Sequence, residues 1–286
     1  MTAKTIKRRH AAYRDDIADL TTRRPVPGPD IDQLDPFLFL NHHGPQVYPP
    51  RNRGLPFGPH PHRGFETVTF ILTGELAHRD SAGHESVIKE GGIQWMTAGS
   101  GLVHAEISPE EFKRRGGPLE ILQLWVNLPP RLKMTPPRYT GLQREEIPAL
   151  PTPDGNGTVN LISGRWNGSD GAMRPLLDVF MSTVELRAGA RVSFPDVAGR
   201  NVFLYVARGT LRIDGAEAQQ YHLIELSDEG DSVEILAATD AVLLLGHAEP
   251  IGAPVVAHGP FVMNTREEIS AAIRDYQAGK FNAIPM

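Results

Sequence analysis

The chain has 286 residues, 40% of them apolar and 22% charged, enough apolar material for one large core or two smaller ones and too much for global disorder. A net charge of −5 supplies no basic footprint for nucleic acid or for an anionic membrane surface, and the absence of cysteine excludes disulfides, thiolate metal sites and Cys nucleophiles. With Gly 28 and Pro 25, well above the average of about 12% for the pair, the composition favours short strands and tight turns over helices, hence an all-β fold.

In chain order, residues Met1 to His10 are basic with no apolar segment behind them, and no window approaches 18 apolar residues, so the expectation is a soluble, cytoplasmic, unprocessed protein. Strands alternate with turns from Phe37 to about Asn127. Phe65 to Leu72 is β-branched and aromatic, Asp80 to Gly83 and Glu90 to Gly92 are turns, and Leu119 to Leu128 is a strand apolar on both faces. Seven prolines between residues 129 and 153 mark the domain boundary, giving an N-terminal domain 1–135 and a C-terminal domain 136–286. The strand pattern resumes at Val159, with Val202 to Val206, Thr210 to Asp214, Ser232 to Leu236 and Ala241 to Leu245.

Sliding the sequence on itself places Phe70 to Leu76 on Tyr205 to Leu211 at a shift of 135, with Gly74/Gly209 and Leu76/Leu211 identical. The shared strand, Gly turn, strand pattern supports two similar domains. Near the end, Ile269, Ile273 and Tyr276 recur at helical spacing over Asn264 to Gln277, with Thr265 as cap and Glu268 three positions on, predicting a single helix. The tail Lys280 to Met286 is expected to pack against the fold.

The chemistry concentrates in Gly58-Pro59-His60-Pro61-His62-Arg63-Gly64-Phe65-Glu66 and, about forty residues later, Gly101-Leu102-Val103-His104-Ala105-Glu106. On extended chain, residues i and i+2 share a face, so His60 pairs with His62 and His104 with Glu106. Three imidazoles and a carboxylate suit a first-row divalent metal such as iron, manganese, nickel, copper or zinc, rather than Cu(I) or an all-oxygen Ca²⁺ or Mg²⁺ site.

The runs His60 to Val68, Gln94 to Glu106 and Leu124 to Leu128, with Asp35-Pro36-Phe37 and Gly259 to Thr265, closely resemble the pirin family of bicupins over about residues 35 to 280. The resemblance implies two antiparallel β-barrels of the cupin type with a short C-terminal helix, and iron, Fe(II), in the N-terminal one alone. Carried over by motif position, it makes His60, His62, His104 and Glu106 the metal ligands. It further implies quercetin 2,3-dioxygenase activity, in which dioxygen opens the heterocycle of a flavonol with release of carbon monoxide and Glu106 serves as the base for the 3-hydroxyl. The implied partners are a phenolic substrate and dioxygen. Because pirins also resemble regulatory proteins, a competing expectation is an iron-binding redox sensor that acts through a transcription factor or metabolic enzyme, with the charged insertion Ser108 to Pro118 as its surface. A monomer is the default for a two-barrel chain.

Glu66 shares the His62 face by parity and is expected either to orient an imidazole from outside the ligand set or to make a core hydrogen bond, rather than to bind metal. At the shift of 135, His60, His62 and Glu66 fall on Pro195, Val197 and Asn201, and His104 and Glu106 fall on Thr239 and Ala241. The second barrel is therefore expected to be metal-free, with His222 and His247 on the surface or in the core. Leu40 to Pro45, with His42 and His43, reads as a turn at the pocket edge. His84 is expected to be exposed, Arg114-Arg115 to be solvated, and Trp95, Met96 and Trp125 to serve as core or pocket wall.

Overall fold

A computed structural model describes residues 2–281. Its strands are β1 (Ile6–Ala11), β2 (Tyr13–Arg14), β3 (Thr22–Val26), β4 (Phe37–Tyr48), β5 (Phe57–His62), β6 (Phe65–Thr73), β7 (Glu75–Asp80), β8 (Glu85–Lys89), β9 (Ile93–Thr97), β10 (Leu102–Ile107), β11 (Gly117–Asn127) and β12 (Arg138–Leu142). There follow β13 (Ala149–Pro151), β14 (Gly157–Ser163), β15 (Arg165–Trp166), β16 (Ser169–Asp170), β17 (Val179–Leu186), β18 (Arg191–Pro195), β19 (Asn201–Arg208), β20 (Leu211–Ile213), β21 (Ala216–Ala218), β22 (His222–Leu226), β23 (Ser232–Ala237), β24 (Ala241–Ala248), β25 (Val256–His258) and β26 (Phe261–Met263). Helices α1 (Glu110–Arg115) and α2 (Arg266–Gln277) complete the elements used below. No helix among the described residues is long and apolar enough to cross a membrane.

Two units share one topology. In the first, a seven-stranded sheet in the order β12-β9-β6-β11-β4-β3-β2 packs on a four-stranded sheet β5-β10-β7-β8; in the second, β1-β22-β19-β24-β17-β14-β13 packs on β18-β23-β20-β21. From β12 to β4 in the first large sheet, and throughout the other three sheets, neighbouring strands run antiparallel. Among the described residues no ladder joins the two sheets of either unit, so each is a two-sheet jelly roll, the cupin type of barrel that the resemblance implies.

The units are not contiguous in sequence. The first contains Arg14–Arg23, Phe37–Glu145 and the chain from Ile251 onward; the second contains the N-terminal residues through Tyr13, Arg24–Pro36 and Glu146–Pro250. This differs from a linear division at residue 135. The N-terminal β1 pairs with β22, covering an edge that would otherwise leave its backbone groups open, and composition cannot reveal such non-local pairing.

The two identities found by self-comparison have structural causes. Gly74 and Gly209 both sit at positive φ, 92° and 79°. A Cβ there would meet Pro118 O at 2.6 Å and Asp240 O at 2.1 Å respectively, so only glycine fits the turn. Leu76 and Leu211 are both fully buried. The C-terminal helix forms as the spacing predicts: Thr265 caps α2 in a reciprocal capping box with Glu268, and Ile269 and Ala272 are buried. Of the tail, Phe281 packs with Val103, Phe261, Met263 and Ile269; residues 282–286 lie outside the described chain. The insertion after Ser108 adds a helix that strand patterning did not predict. Short α1 buries Phe112 and pairs its own charges, Lys113 with Glu110 and Arg114 with Glu111.

Candidate metal centre

The two histidine-bearing strands are neighbours: β5 runs antiparallel to β10 with His60 opposite His104 and Leu102 opposite His62. His60, His62 and His104 converge, each offering a ring nitrogen within 4.8 Å of the others, and they are the one such cluster among the described residues. Ligands about 2.1 Å from a first-row ion stand no more than about 4.2 Å apart, a span of the same order as that of the trio.

The imidazoles are prepared for nitrogen ligation. His60 Nδ1 donates to Gly58 O (2.8 Å) and His62 Nδ1 donates to Pro260 O (3.2 Å). Each bond fixes the tautomer that leaves Nε2 with a free lone pair. His104 is buried with neither ring nitrogen hydrogen-bonded, an arrangement that is costly unless a ligand completes it. Burial, followed by the neighbouring imidazole His60, pushes His62 down to about 3. Burial, with His62, His60 and His78 close by, holds His104 well below its ordinary value. Neutral imidazoles that keep a ring-nitrogen lone pair free fit a divalent metal.

Glu106 stands apart from this trio. It lies on the His104 face of β10, but Oε1 accepts from Thr69 Oγ1 (2.7 Å) and Oε2 accepts from Gln123 Nε2. The structure thus brings together the three expected histidines and holds the expected carboxylate beside them on two donors. The ladder with β5 is irregular between His104 and Glu106, an offset that i, i+2 parity does not register.

Glu66 is on the other face of β6. Thr69 reaches Glu106, so by alternation Phe65, Thr67 and Thr69 face the histidines, while Glu66, Val68 and Phe70 face away. The parity expected between His62 and Glu66 fails because Arg63-Gly64 turns the chain between β5 and β6, with Gly64 at φ 90°. Glu66 Oε1 instead accepts from Thr97 Oγ1 (2.6 Å), and Oε2 has no partner. Trp95 lies close to this carboxyl, but its indole N–H stays outside hydrogen-bond geometry. Burial pushes the carboxyl up to about 7, against the Thr97 bond, the Trp95 indole and the Arg138 charge.

An aromatic wall flanks the histidines. Trp125 is 5.3 Å from the His62 ring and 4.4 Å from Phe65, and it stacks on Phe39 at 4.6 Å; its buried indole N–H has no partner. Trp125 is therefore pocket wall. Trp95 is core, and Met96 packs beside Tyr139. Sequence patterning missed His78 and Asp80. His78 Nε2 donates to Asp80 Oδ2 (3.0 Å), and its ring lies 5.4 Å from His104 and stacks on Tyr139 at 3.9 Å. The alternation of His78 and Asp80 along β7 was the available signal.

His42 and His43 are not in a turn. Both are buried in the middle of β4, His42 bonded to Glu120 (2.9 Å) and His43 to Thr22 (2.8 Å). Gly44-Pro45 reads as a turn but forms a bulge, with Gly44 at φ 85° where a Cβ would meet Leu119 O at 2.4 Å. His84 is half-buried rather than fully exposed, because its ring hydrogen-bonds buried Asp80. In the second unit His222 is half-buried, whereas His247 is buried, stacked on Phe180 at 4.6 Å, and pushed down to about 3 by burial and by Arg200.

Comparisons with known proteins agree with this architecture. The pirin family model matches residues 19–126 and the pirin C-terminal cupin domain matches residues 181–282. A pirin-like protein of Caulobacter vibrioides is 40% identical over 270 residues, covering 93% of this chain and 94% of its own. Human pirin is 40% identical over 266 residues, covering 90% and 87%. The crystal structure of a quercetin 2,3-dioxygenase from Acinetobacter baumannii superposes with a TM-score of 0.92 at 32% identity, over 99% of this chain and all of that one. With two cupin units, a histidine trio in one of them and relatives matched along nearly their full length, the chain belongs to the pirin family.

Proposed function

We propose that this chain is an Fe(II)-dependent dioxygenase that opens a flavonol such as quercetin, with His60, His62 and His104 as the nitrogen ligands. The observation that carries the reading is the trio of converging imidazoles beside a carboxylate held on separate donors. The ion, when bound, supplies Lewis acidity and one-electron redox chemistry.

The chain's own residues have distinct tasks. Trp125, backed by Phe39 and buried Phe65, forms a wall against which a planar phenolic ring stacks, and the free Trp125 indole N–H is available to a substrate oxygen. Glu106 accepts the proton of the flavonol 3-hydroxyl, while Thr69 and Gln123 hold its carboxylate in place. As a base that is not itself a ligand, it keeps the basicity that coordination would remove; moving onto the ion would make it the fourth ligand, and Fe(II) gives way readily to other divalent ions at such an N/O site.

The redox-sensing alternative has less to rest on, because the charges of α1 pair with one another and Arg115 pairs with Glu75. The test is oxygen consumption and carbon monoxide release by anaerobically Fe(II)-loaded protein given quercetin, beside His62→Ala treated identically. Turnover by the wild type alone is expected. No turnover at full iron occupancy would end the dioxygenase reading.

A further inference from the structure

The histidines of the metal centre are held in place by a segment almost 200 residues further along the chain. The contacts reach both histidine-bearing strands. On β5, His62 Nδ1 donates to Pro260 O, and directly after it Val262 N bonds Arg63 O (3.1 Å) in a short parallel bridge between Arg63 and Phe261. The approach is so close that a Cβ on Gly64 would lie 2.0 Å from Val262 O. Buried Lys133 closes this junction, its ammonium donating to Gly64 O (2.9 Å), Val262 O (3.0 Å) and Asn127 Oδ1 (2.7 Å).

On β10 the anchor is Phe281. Its carbonyl accepts from Ser81 Oγ (2.6 Å), and the same hydroxyl accepts from Val103 N (3.0 Å), the residue before His104. The Phe281 ring covers Gly101, where any Cβ would meet it at 2.5 Å, and the Arg63 guanidinium lies 4.6 Å above that ring. Arg63 also donates to Asp275 Oδ2 on α2 (3.0 Å) and to Ser100 O (2.7 Å). One buried cation thus connects α2, the Phe281 ring and the turn that follows His62.

We infer that the segment from Pro260 to Phe281 is a positioning element for the metal centre, with Arg63, Asp275 and Phe281 as positioning residues that fix the tautomer of His62 and the alignment of His62 with His104. The inference rests on the metal reading of the histidine trio. It also contains its own control. His60 takes its tautomer from Gly58 O within its own strand, whereas His62 takes the same tautomer from the remote Pro260. Loosening the segment should release His62 and leave His60 as it is.

The experiment uses the full-length protein with Phe281→Ala, Phe281→Leu and Asp275→Asn. In the metal-free state, long-range ¹H–¹⁵N correlation spectra report the tautomer of each histidine. Co(II) titration followed by visible absorption reports affinity. Phe281→Ala should give His62 a mixed tautomer population, leave His60 on Nδ1–H, and weaken Co(II) by about 10- to 100-fold, the usual effect of losing an outer partner of a ligand. Asp275→Asn, which keeps the shape of the side chain and so the fold, should change the same readouts in the same direction by less. Phe281→Leu should restore most of the affinity.

A melting temperature lowered with both tautomers and Co(II) affinity unchanged would overturn the inference, since the segment would then be only a stabiliser. Equal disturbance of His60 and His62 in Asp275→Asn would overturn it too. Failure of the wild type to bind Co(II) would overturn the metal reading itself, and with it this inference.

Discussion

The two cupin units lay down the same sheet and fill it with opposite chemistry. In each, a pair of rings faces across the central strands: Phe39 with Trp125 in the first, Phe180 with His247 in the second, both with centroids 4.6 Å apart. Two residues along, Gln123 lies between Asn41 and Thr69 in the first unit, and Leu245 lies between Ser182 and Leu204 in the second. Gln123 and Thr69 hold Glu106. Leu245 and Leu204 instead pack with Phe194, Val233 and Ile235 in one apolar core. The difference teaches that the sandwich does not dictate its interior: a handful of inward positions decides whether the space becomes a polar centre or a core. A carboxylate in the second unit would lack the two donors that Thr69 and Gln123 supply in the first and would pay more of the cost of burial.

The largest contrast is expected from His104→Ala. Metal should fall from one ion per chain to none by elemental analysis. Because both His104 nitrogens are buried without partners in the metal-free protein, its unfolding free energy should be unchanged or raised. Retention of one ion per chain would show that the trio is not the site. In the second unit, Phe194→Ala should do the reverse. Phe194 is 1% exposed, and its truncation should cost about 3–5 kcal/mol in urea unfolding while the metal stoichiometry of the folded protein stays at one.

How far the sequence discloses this contrast depends on whether a feature is local. The histidine trio is legible because His60, His62 and His104 sit on two strands where spacing fixes their face, and the capping box at Thr265 lies within four residues. The repeat shift of 135 holds between β6 and β19, since Thr69, opposite Gln123, corresponds to Leu204, opposite Leu245. It fails beyond them. Residues 196–200 join β18 to β19 where only Arg63-Gly64 joins β5 to β6, so Val192 and Phe194, not the Pro195 and Val197 that the shift gives, take the strand positions of His60 and His62. Insertion of α1 similarly offsets β24 from β11: Gln123 corresponds to Leu245, not to residue 258. The grip of Pro260 on His62 and the attachment of β1 to the second unit are contacts between distant parts of the chain, and no local pattern encodes them.

Glu66 sharpens the comparison through pH. Its counterpart at the shift of 135 is Asn201, a neutral amide that donates to Asp35 O (2.6 Å). Burial raises the Glu66 carboxyl from 4.5 to about 7, so between these values the folded chain keeps a proton that the unfolded chain has lost. Stability from this group is therefore greatest below pH 4.5 and declines as pH rises to about 7. At pH 8 the ionised carboxylate should cost about 1–3 kcal/mol. Glu66→Gln makes the first unit like the second at this position. It should raise the unfolding free energy at pH 8 by about that amount and leave it nearly unchanged at pH 4.5. A gain of equal size at both pH values would refute the assignment.

The finest distinction is made by Gln123→Leu, which copies the residue of the second unit into the first. Oε2 of Glu106 loses its donor while Thr69 still holds Oε1, and the three histidines are untouched. Metal stoichiometry should therefore stay at one. If Glu106 takes the substrate proton, kcat for quercetin should fall by about 10- to 100-fold, the usual consequence of removing a partner that orients a site residue, with KM little changed because the aromatic wall is intact. That fold-change is about 1.4–2.7 kcal/mol of transition-state stabilisation. Unchanged kcat with raised KM would mean that Gln123 contacts substrate and that Glu106 is not the base. A parallel fall in metal content would mean that the carboxylate moves onto the ion as a fourth ligand and that Gln123 governs that movement, which is the one respect in which the polar unit could not be made from the apolar unit by exchanging histidines alone.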